Sequence, residues 1–395
     1  MKRREFIKTS ALSGVGLAAL GGMPDSALGA DRIVKYNKLG NTGLEISDIS
    51  FGAGKLPASS LVLRAAAAGI NYFDTAPDYG RSEDHIGGAM ARLNRAEIIL
   101  ASKYCDGRSY PNHLPVGTKK QKFIEAVDTS LQRCKTDYLD LVFVHAMGEL
   151  SENFEEEKQR LFAEEMLSAT ESLKKAGKIK HLAVSSHGPD NMEALLLEAV
   201  NSGYYDVIMP AFNFMKFPKV PDLLKAAKKK GVGVVAMKTL AGAKALELDQ
   251  GAQDFAHAAF KWVLKHQEVA GLVVTMKTVG NLYHYIKASG QSFTQADQRQ
   301  LDRYASRWGS QYCRTGCNDC GPACAQGVQI AKSLRHLMYF QDYGEEKKAI
   351  QGYAEISPNG AACQSCENPS CEAACPHGLP VKTMMNQAHQ DLSLA

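Results

Sequence analysis

INYFDTAPDYGRSEDHIGGAM, Ile70 to Met90, is a short apolar run that ends in polar residues and hands over to a helical segment. Asp74 stands where the run ends, and Tyr79 lies just beyond it on a loop. The same unit repeats in both directions. Strand-like runs occur at 48–54 (DISFGAG), 70–76, 98–103 (IILASK) and 138–146 (YLDLVFVHA). They continue at 179–187, 205–213, 232–240 and 269–277. Between them, segments such as TKKQKFIEAVDTSLQRC and DFAHAAFKWVLKHQ place apolar residues three and four apart, the helical spacing. Gly69, Gly177, Gly203 and Gly231 stand where a helix should end before the next strand. Eight such pairs, over about 250 residues, predict an α/β chain closed into a (β/α)8 TIM barrel. A doubly wound open sheet has a similar strand count, but no GxGxxG follows the first strand.

The 395 residues leave room for a second, smaller unit. Composition is globular, with 45% hydrophobic and 22% charged residues and a net charge of +4. Lys2, Arg3, Arg4 and Lys8 outweigh Glu5 and Asp25, so the first 30 residues supply +2 of it. The nearly neutral remainder argues against a nucleic-acid footprint. No apolar run approaches the roughly 18–20 residues that span a bilayer. MKRREFIKTSALSGVGLAALGG has the basic start and small apolar run of an export signal. Within it KRREFIK resembles the twin-arginine motif, which predicts export of a folded chain to the periplasm. Cleavage is expected near Ala30, with Leu28 a poor fit at the minus-three position. The expected divisions are 1–30 for the signal, 31–305 for the barrel and 306–395 for a cysteine-rich unit.

In a barrel of this kind chemistry belongs at the C-terminal ends of the strands. Three successive strands deliver Asp74, Lys103 and His145 there, with Tyr79 nearby. Lys103 beside Tyr79 would favour the phenolate and lower the tyrosine pKa, Asp74 would hold Lys103 charged, and His145 could orient a carbonyl oxygen. Such a set suits proton delivery to a carbonyl as it receives a hydride.

YNKLGNTGLEIS ahead of the barrel, FDTAPDYGRSEDHIGGAM, LASKY and DLVFVHA together resemble the aldo/keto reductase family, in the same order. The resemblance covers residues 33 to about 305 and implies an N-terminal β-hairpin before the barrel. It also implies Tyr79 as general acid/base, with Asp74, Lys103 and His145 completing a tetrad, and NADP(H) across the barrel mouth. By position, Ser185, Ser186 and Met209 would meet the nicotinamide end. Lys238 and Thr239 would line the pyrophosphate path, and Lys277 and Thr278 would lie near the adenosine phosphate. The family pattern usually has Ser-Asn at 185–186 and glutamine at 209, so this chain departs from it there.

Eight of the ten cysteines fall in the last 85 residues. Cys313, Cys317, Cys320 and Cys324 read C-x3-C-x2-C-x3-C; Cys363, Cys366, Cys371 and Cys375 read C-x2-C-x4-C-x3-C-P. Disulfides, two zinc sites and iron–sulfur clusters are the alternatives. A barrel of this size needs no disulfide staples. Both groups approximate the ferredoxin spacing, in which the fourth cysteine ligates the other cluster. Under that rule Cys313, Cys317, Cys320 and Cys375 hold one 4Fe-4S cluster, and Cys363, Cys366, Cys371 and Cys324 the other. A branch of the aldo/keto reductases carries such a C-terminal segment, and SLRHLMYFQDYG resembles its connector. Cys134 is expected to be packing, and Cys105 lies close to the tetrad.

The whole predicts an exported oxidoreductase that interconverts a carbonyl and an alcohol, with a sugar as one candidate substrate, and clusters that pass electrons to a partner protein. An iron–sulfur scaffold with a non-catalytic barrel, and a lyase or isomerase using Tyr79 without net redox, are the competing classes.

Overall fold

The computed structural model describes residues 32–151, 153–187, 191–215, 220–241, 254–311, 313–314, 317–342 and 346–393. The export signal expected in residues 1–30 lies outside them. Two short strands, β1 (Tyr36–Lys38) and β2 (Glu45–Ser47), pair antiparallel as the expected hairpin. Eight parallel strands follow: β3 (Ile49–Gly52), β4 (Tyr72–Asp74), β5 (Ile99–Lys103), β6 (Leu139–Met147), β7 (Ile179–Ser186), β8 (Val207–Pro210), β9 (Gly233–Ala236) and β10 (Gly271–Thr275). They close into a barrel in chain order, with β10 pairing back onto β3. The open sheet is thereby excluded.

Helices cover the outside: α1 (Ser59–Ala67), α2 (Ser82–Met90), α3 (Lys120–Cys134), α4 (Phe154–Leu161), α5 (Glu164–Lys175), α6 (Met192–Ser202), α7 (Val220–Lys230), α8 (Phe255–Leu264), α9 (Val279–Ile286) and α10 (Gln295–Trp308). Strands buried on both faces need apolar residues at every position, which is why their runs are continuous rather than alternating. Tyr72, Ile99, Leu141, Phe143, Val207, Met209 and Val235 fill the barrel interior. Leu39 and Ile46 of the hairpin join that cluster, fully buried, and plug one end. The plug requires glycine at its tip. Gly40 has φ +53, and a Cβ there would lie 2.4 Å from the Gly233 nitrogen.

The stretch from 150 to 178 breaks into α4 and α5 at Ala163, which adopts ψ 116. The break lets α4 turn towards the barrel mouth, where Arg160 Nη2 donates to the His145 carbonyl oxygen at 2.6 Å.

The C-terminal unit is helical: α11 (Ile330–Gln341), α12 (Glu346–Ala354), α13 (Ala361–Gln364), α14 (Ser370–Ala374) and α15 (Val381–Leu392). Its own core includes Leu334, Leu337, Met338, Tyr353, Leu379 and Met385, with Cys320 and Cys371 packed among them. No described helix is long and apolar enough to cross a membrane.

Candidate active site

The ends of β4, β5 and β6 bring the four predicted tetrad residues together. Lys103 Nζ donates to Asp74 Oδ1 (2.8 Å), Asp74 Oδ2 (2.7 Å) and the Thr75 carbonyl (2.7 Å). Both side chains are buried, so the ammonium is fixed and each of its protons has an acceptor. Nζ lies 5.1 Å from the centre of the Tyr79 ring. Tyr79 Oη is 3.4 Å from His145 Nε2. His145 reaches that position through a bulge. The β6–β7 register slips between Val144 and Met147, and Ala146 takes φ 50. Bulges beside active sites commonly re-aim a side chain in this way.

The electrostatics differ from the expectation in one respect. Burial, then Asp74, Asp78, Cys105 and Glu149, push Tyr79 well above the ordinary phenol value. These raising influences outweigh the ammonium of Lys103, which both Asp74 oxygens engage. Tyr79 therefore rests as a neutral phenol, a proton donor. Burial, with His113 and Lys103, also holds His145 well below its usual value, so the imidazole is neutral. Burial raises Asp74, against the opposing pull of Lys103.

Behind His145 lies a polar wall of which the sequence singled out only Cys105. The loop after β5 folds back so that Cys105 and His113 face each other in an antiparallel bridge. Cys105 Sγ is 3.0 Å from His145 Nδ1 and 3.7 Å from His113 Nδ1. Burial and Asp78 push the Cys105 thiol well up, which makes it a poor nucleophile. Glu149 accepts from Tyr110 Oη and lies 3.3 Å from His113 Nε2 and 2.8 Å from His187 Nδ1. Burial pushes Glu149 up, but His187 and His113 outweigh it and hold the carboxyl well below its ordinary range. Glu157 fixes the loop carrying Glu149 by accepting from the Gly148, Leu150 and Ser151 amides. No spacing rule links Asp78, Cys105, His113, Glu149 and His187, so only the folded loops reveal the wall.

The residues expected around a dinucleotide form an arc along the ends of β7 to β10. Ser185 Oγ accepts from the Ala146 amide (3.1 Å), and Ser186 Oγ donates to the Met147 carbonyl (2.7 Å). Ser185 thus keeps its hydroxyl proton and Ser186 a lone pair, a complementary pair for a carboxamide. Met209 is in register with Ser185 and belongs to the barrel interior. Thr239 is buried, and the Lys238 carbonyl accepts from Asn213 Nδ2 (3.1 Å). Lys277 and Thr278 are exposed at the N-terminus of α9, where Thr278 Oγ1 caps the Asn281 amide. A helix N-terminus flanked by a lysine suits a phosphate.

All ten cysteines are free. Burial pushes Cys313 up to about 12, helped by Cys317, Cys320 and Cys375. Burial pushes Cys363 up to about 11, helped by Cys324, Cys371 and Cys366. Burial also pushes Cys320 up to about 11, helped by Cys375, Cys317 and Cys371, so the thiol influences cross between the two groups. Cys134 is buried against the barrel core, as expected of packing.

The C-terminal unit rests on the barrel mouth. Lys348 Nζ sits 4.1 Å from the centre of the Tyr110 ring and 4.9 Å from that of Tyr339. Burial, Lys348 and Arg335 push His336 of α11 down to about 4. A folded value below the unfolded one, about 6.5, means the unfolded chain takes up the proton first as pH falls. Stability from this group is therefore intact above pH 6.5 and declines between about 6.5 and about 4. His336→Gln is expected to flatten that part of the pH–stability curve, measured by denaturant unfolding at pH 7.5 and 5. An unchanged slope would contradict the assignment.

A barrel with this tetrad at its rim defines a class, and comparison with known proteins agrees. The model of the aldo/keto reductase family matches residues 55–255, and the chain belongs to that family. It is 29% identical to L-galactose dehydrogenase of Arabidopsis thaliana over 53% of this chain and 66% of the relative. It is 31% identical to the uncharacterized oxidoreductase YqkF of Bacillus subtilis over 56% of this chain and 70% of the relative. An aldo-keto reductase structure from Pseudomonas aeruginosa aligns with TM-score 0.53 and 26% identity, covering 66% of this chain and 96% of the other. These relatives support an oxidoreductase. The cysteine-rich unit lies beyond the residues that the family model matches.

Proposed function

We propose that the chain is an exported oxidoreductase that interconverts a carbonyl and an alcohol at Tyr79, linked to electron transfer through two 4Fe-4S clusters. The observation that carries the catalytic half is the buried Tyr79–His145–Lys103–Asp74 constellation at the strand ends. Neutral Tyr79 and the His145 Nε2 side together offer a carbonyl oxygen a proton and a hydrogen bond. The Asp74–Lys103 pair keeps a fixed positive charge under the tyrosine ring, which stabilises the phenolate left after the proton has gone. NADP(H), when bound, supplies or accepts the hydride. The donor set fits it: Ser185 and Ser186 for the carboxamide, Lys238 and Thr239 along the pyrophosphate, Lys277 and Thr278 for the adenosine phosphate. The likeness to L-galactose dehydrogenase favours a sugar as substrate.

The eight thiols fit two clusters. Clusters, when bound, pass single electrons. Lys348 on Tyr110 places the cysteine unit against the catalytic mouth, which supports a link between the two. If the ferredoxin rule holds, Cys375→Ala and Cys313→Ala each remove roughly half the iron, and the pair removes no more than either alone. Cys375→Ala with Cys363→Ala should remove nearly all of it. Iron and sulfide analysis of anaerobically purified chains reads this directly, and additive losses within the first pair would refute the assignment.

Export rests on KRREFIK. Replacing Arg3 and Arg4 by lysine is expected to leave the protein in the cytoplasmic fraction, cluster-loaded and unprocessed. Undiminished periplasmic protein would contradict this route.

A further inference from the structure

We propose that Asp78, Cys105, His113 and His145 form a buried zinc site directly behind the catalytic tyrosine. Their ligand atoms all lie within 4.8 Å of one another, and all four residues are buried. Cys105 Sγ lies 3.0 Å from His145 Nδ1 and 3.7 Å from His113 Nδ1. Asp78 Oδ2 lies 3.8 Å from each of the same two nitrogens. Zinc bonds of 2.0–2.3 Å place tetrahedral ligand atoms about 3.3–3.8 Å apart, so the four side chains are close to a ligand shell as they stand.

Three further observations point to an ion. The Asp78 carboxylate is under-satisfied: Oδ2, which faces both histidine nitrogens, accepts from the Asn112 amide at 3.3 Å, and Oδ1 is buried without a hydrogen-bond partner, a costly arrangement in a protein interior. Both histidines turn Nδ1 inward and give Nε2 an oxygen partner outside: Glu149 Oε2 at 3.3 Å for His113, Tyr79 Oη at 3.4 Å for His145. Metal-bound histidines characteristically donate their other N–H to just such an oxygen. Finally, one thiolate, one carboxylate and two neutral imidazoles cancel the charge of a divalent cation, so the loaded unit is neutral and burial costs it little. A thiolate and two imidazoles at tetrahedral spacing select zinc over the harder magnesium and calcium.

Four protein ligands leave no open position, so this is a closed site that does not itself bind substrate. It ties three loops together: the one after β4 (Asp78), the hairpin after β5 (Cys105 and His113) and the bulge of β6 (His145). With Nδ1 on the metal, His145 keeps its proton on Nε2, facing the tyrosine hydroxyl. The site does not depend on the reductase reading, and either can fail alone.

The test uses the full chain, expressed with zinc and purified without chelators. Zinc per chain is measured by mass spectrometry and its ligands by zinc-edge X-ray absorption. The expected result is about one zinc per chain bound by one sulfur and three nitrogen or oxygen atoms, lost in Cys105→Ala and in His113→Ala. A zinc-free chain, zinc bound by sulfur alone, or variants that keep the mixed-ligand zinc would each overturn the site. Should a variant fail to fold, crystals of the unmodified chain decide. A zinc-edge anomalous peak among the four residues supports the proposal, and its absence refutes it.

Discussion

Tyr79→Phe is expected to lower turnover about a hundred- to ten-thousand-fold while leaving nicotinamide affinity nearly unchanged. The substitution removes only the hydroxyl. The ring keeps its packing on Tyr110, with centroids 6.5 Å apart, and on His145, with centroids 5.8 Å apart. Lys103 keeps both Asp74 oxygens and the Thr75 carbonyl, so the charge beneath the ring is undisturbed. What is lost is the one neutral acid within reach of His145 Nε2. Because burial and the carboxylates of Asp74, Asp78 and Glu149 hold Tyr79 protonated, the effect falls on proton donation to a carbonyl. Steady-state kinetics of carbonyl reduction, with nicotinamide binding followed by fluorescence, separates the two terms. A Phe variant with full activity would remove Tyr79 from the mechanism and leave the barrel as a scaffold.

The second large effect concerns the buried ion pair. Lys103→Met leaves Asp74 at the centre of the barrel rim with no cation, and removing one partner of a buried pair costs about 3–5 kcal/mol. Replacing both, Asp74→Leu with Lys103→Met, is expected to recover most of that stability, since no unpaired charge remains. Activity should not return with it, because the phenolate would then have no nearby cation. Denaturant unfolding and turnover measured on the unmodified chain and these two variants test this. If the double variant is as unstable as the single one, the pair is not the isolated charge couple described here. If it is active, the positive charge is dispensable.

Much of the barrel was legible because strands buried on both faces read as continuous apolar runs. The strand cores at 49–52, 72–74, 99–103 and 139–147 fall where the runs do. The ends were less legible. The run 205–213 yields only Val207–Pro210 as a strand, with Ala211 continuing as an isolated parallel bridge to Met237. The α4–α5 break was invisible, since Phe162 and Ala163 carry no breaker signal. Asp74, Tyr79, Lys103 and His145 were found because strand ends are where chemistry sits. The direction of the Tyr79 shift was not, because burial and Asp78, Cys105 and Glu149 converge on it only in the folded loops. His113 and Glu149 come from loops whose return path no sequence pattern states. The two cysteine sets rest on spacing, which names Cys375 with the first group and Cys324 with the second, while Cys320 is influenced by Cys371 as well as by Cys375 and Cys317.

The most direct test of the central claim follows a label. The full chain, purified anaerobically, is mixed with NADPH deuterated at the transferable position and with aldehydes and sugar carbonyls, including the carbonyl product of L-galactose oxidation. The account predicts that the chain binds NADPH and passes deuterium to a carbonyl carbon, and that Tyr79→Phe binds but barely transfers. A chain that binds neither NADPH nor NADH, and passes no label to any carbonyl, would contradict it.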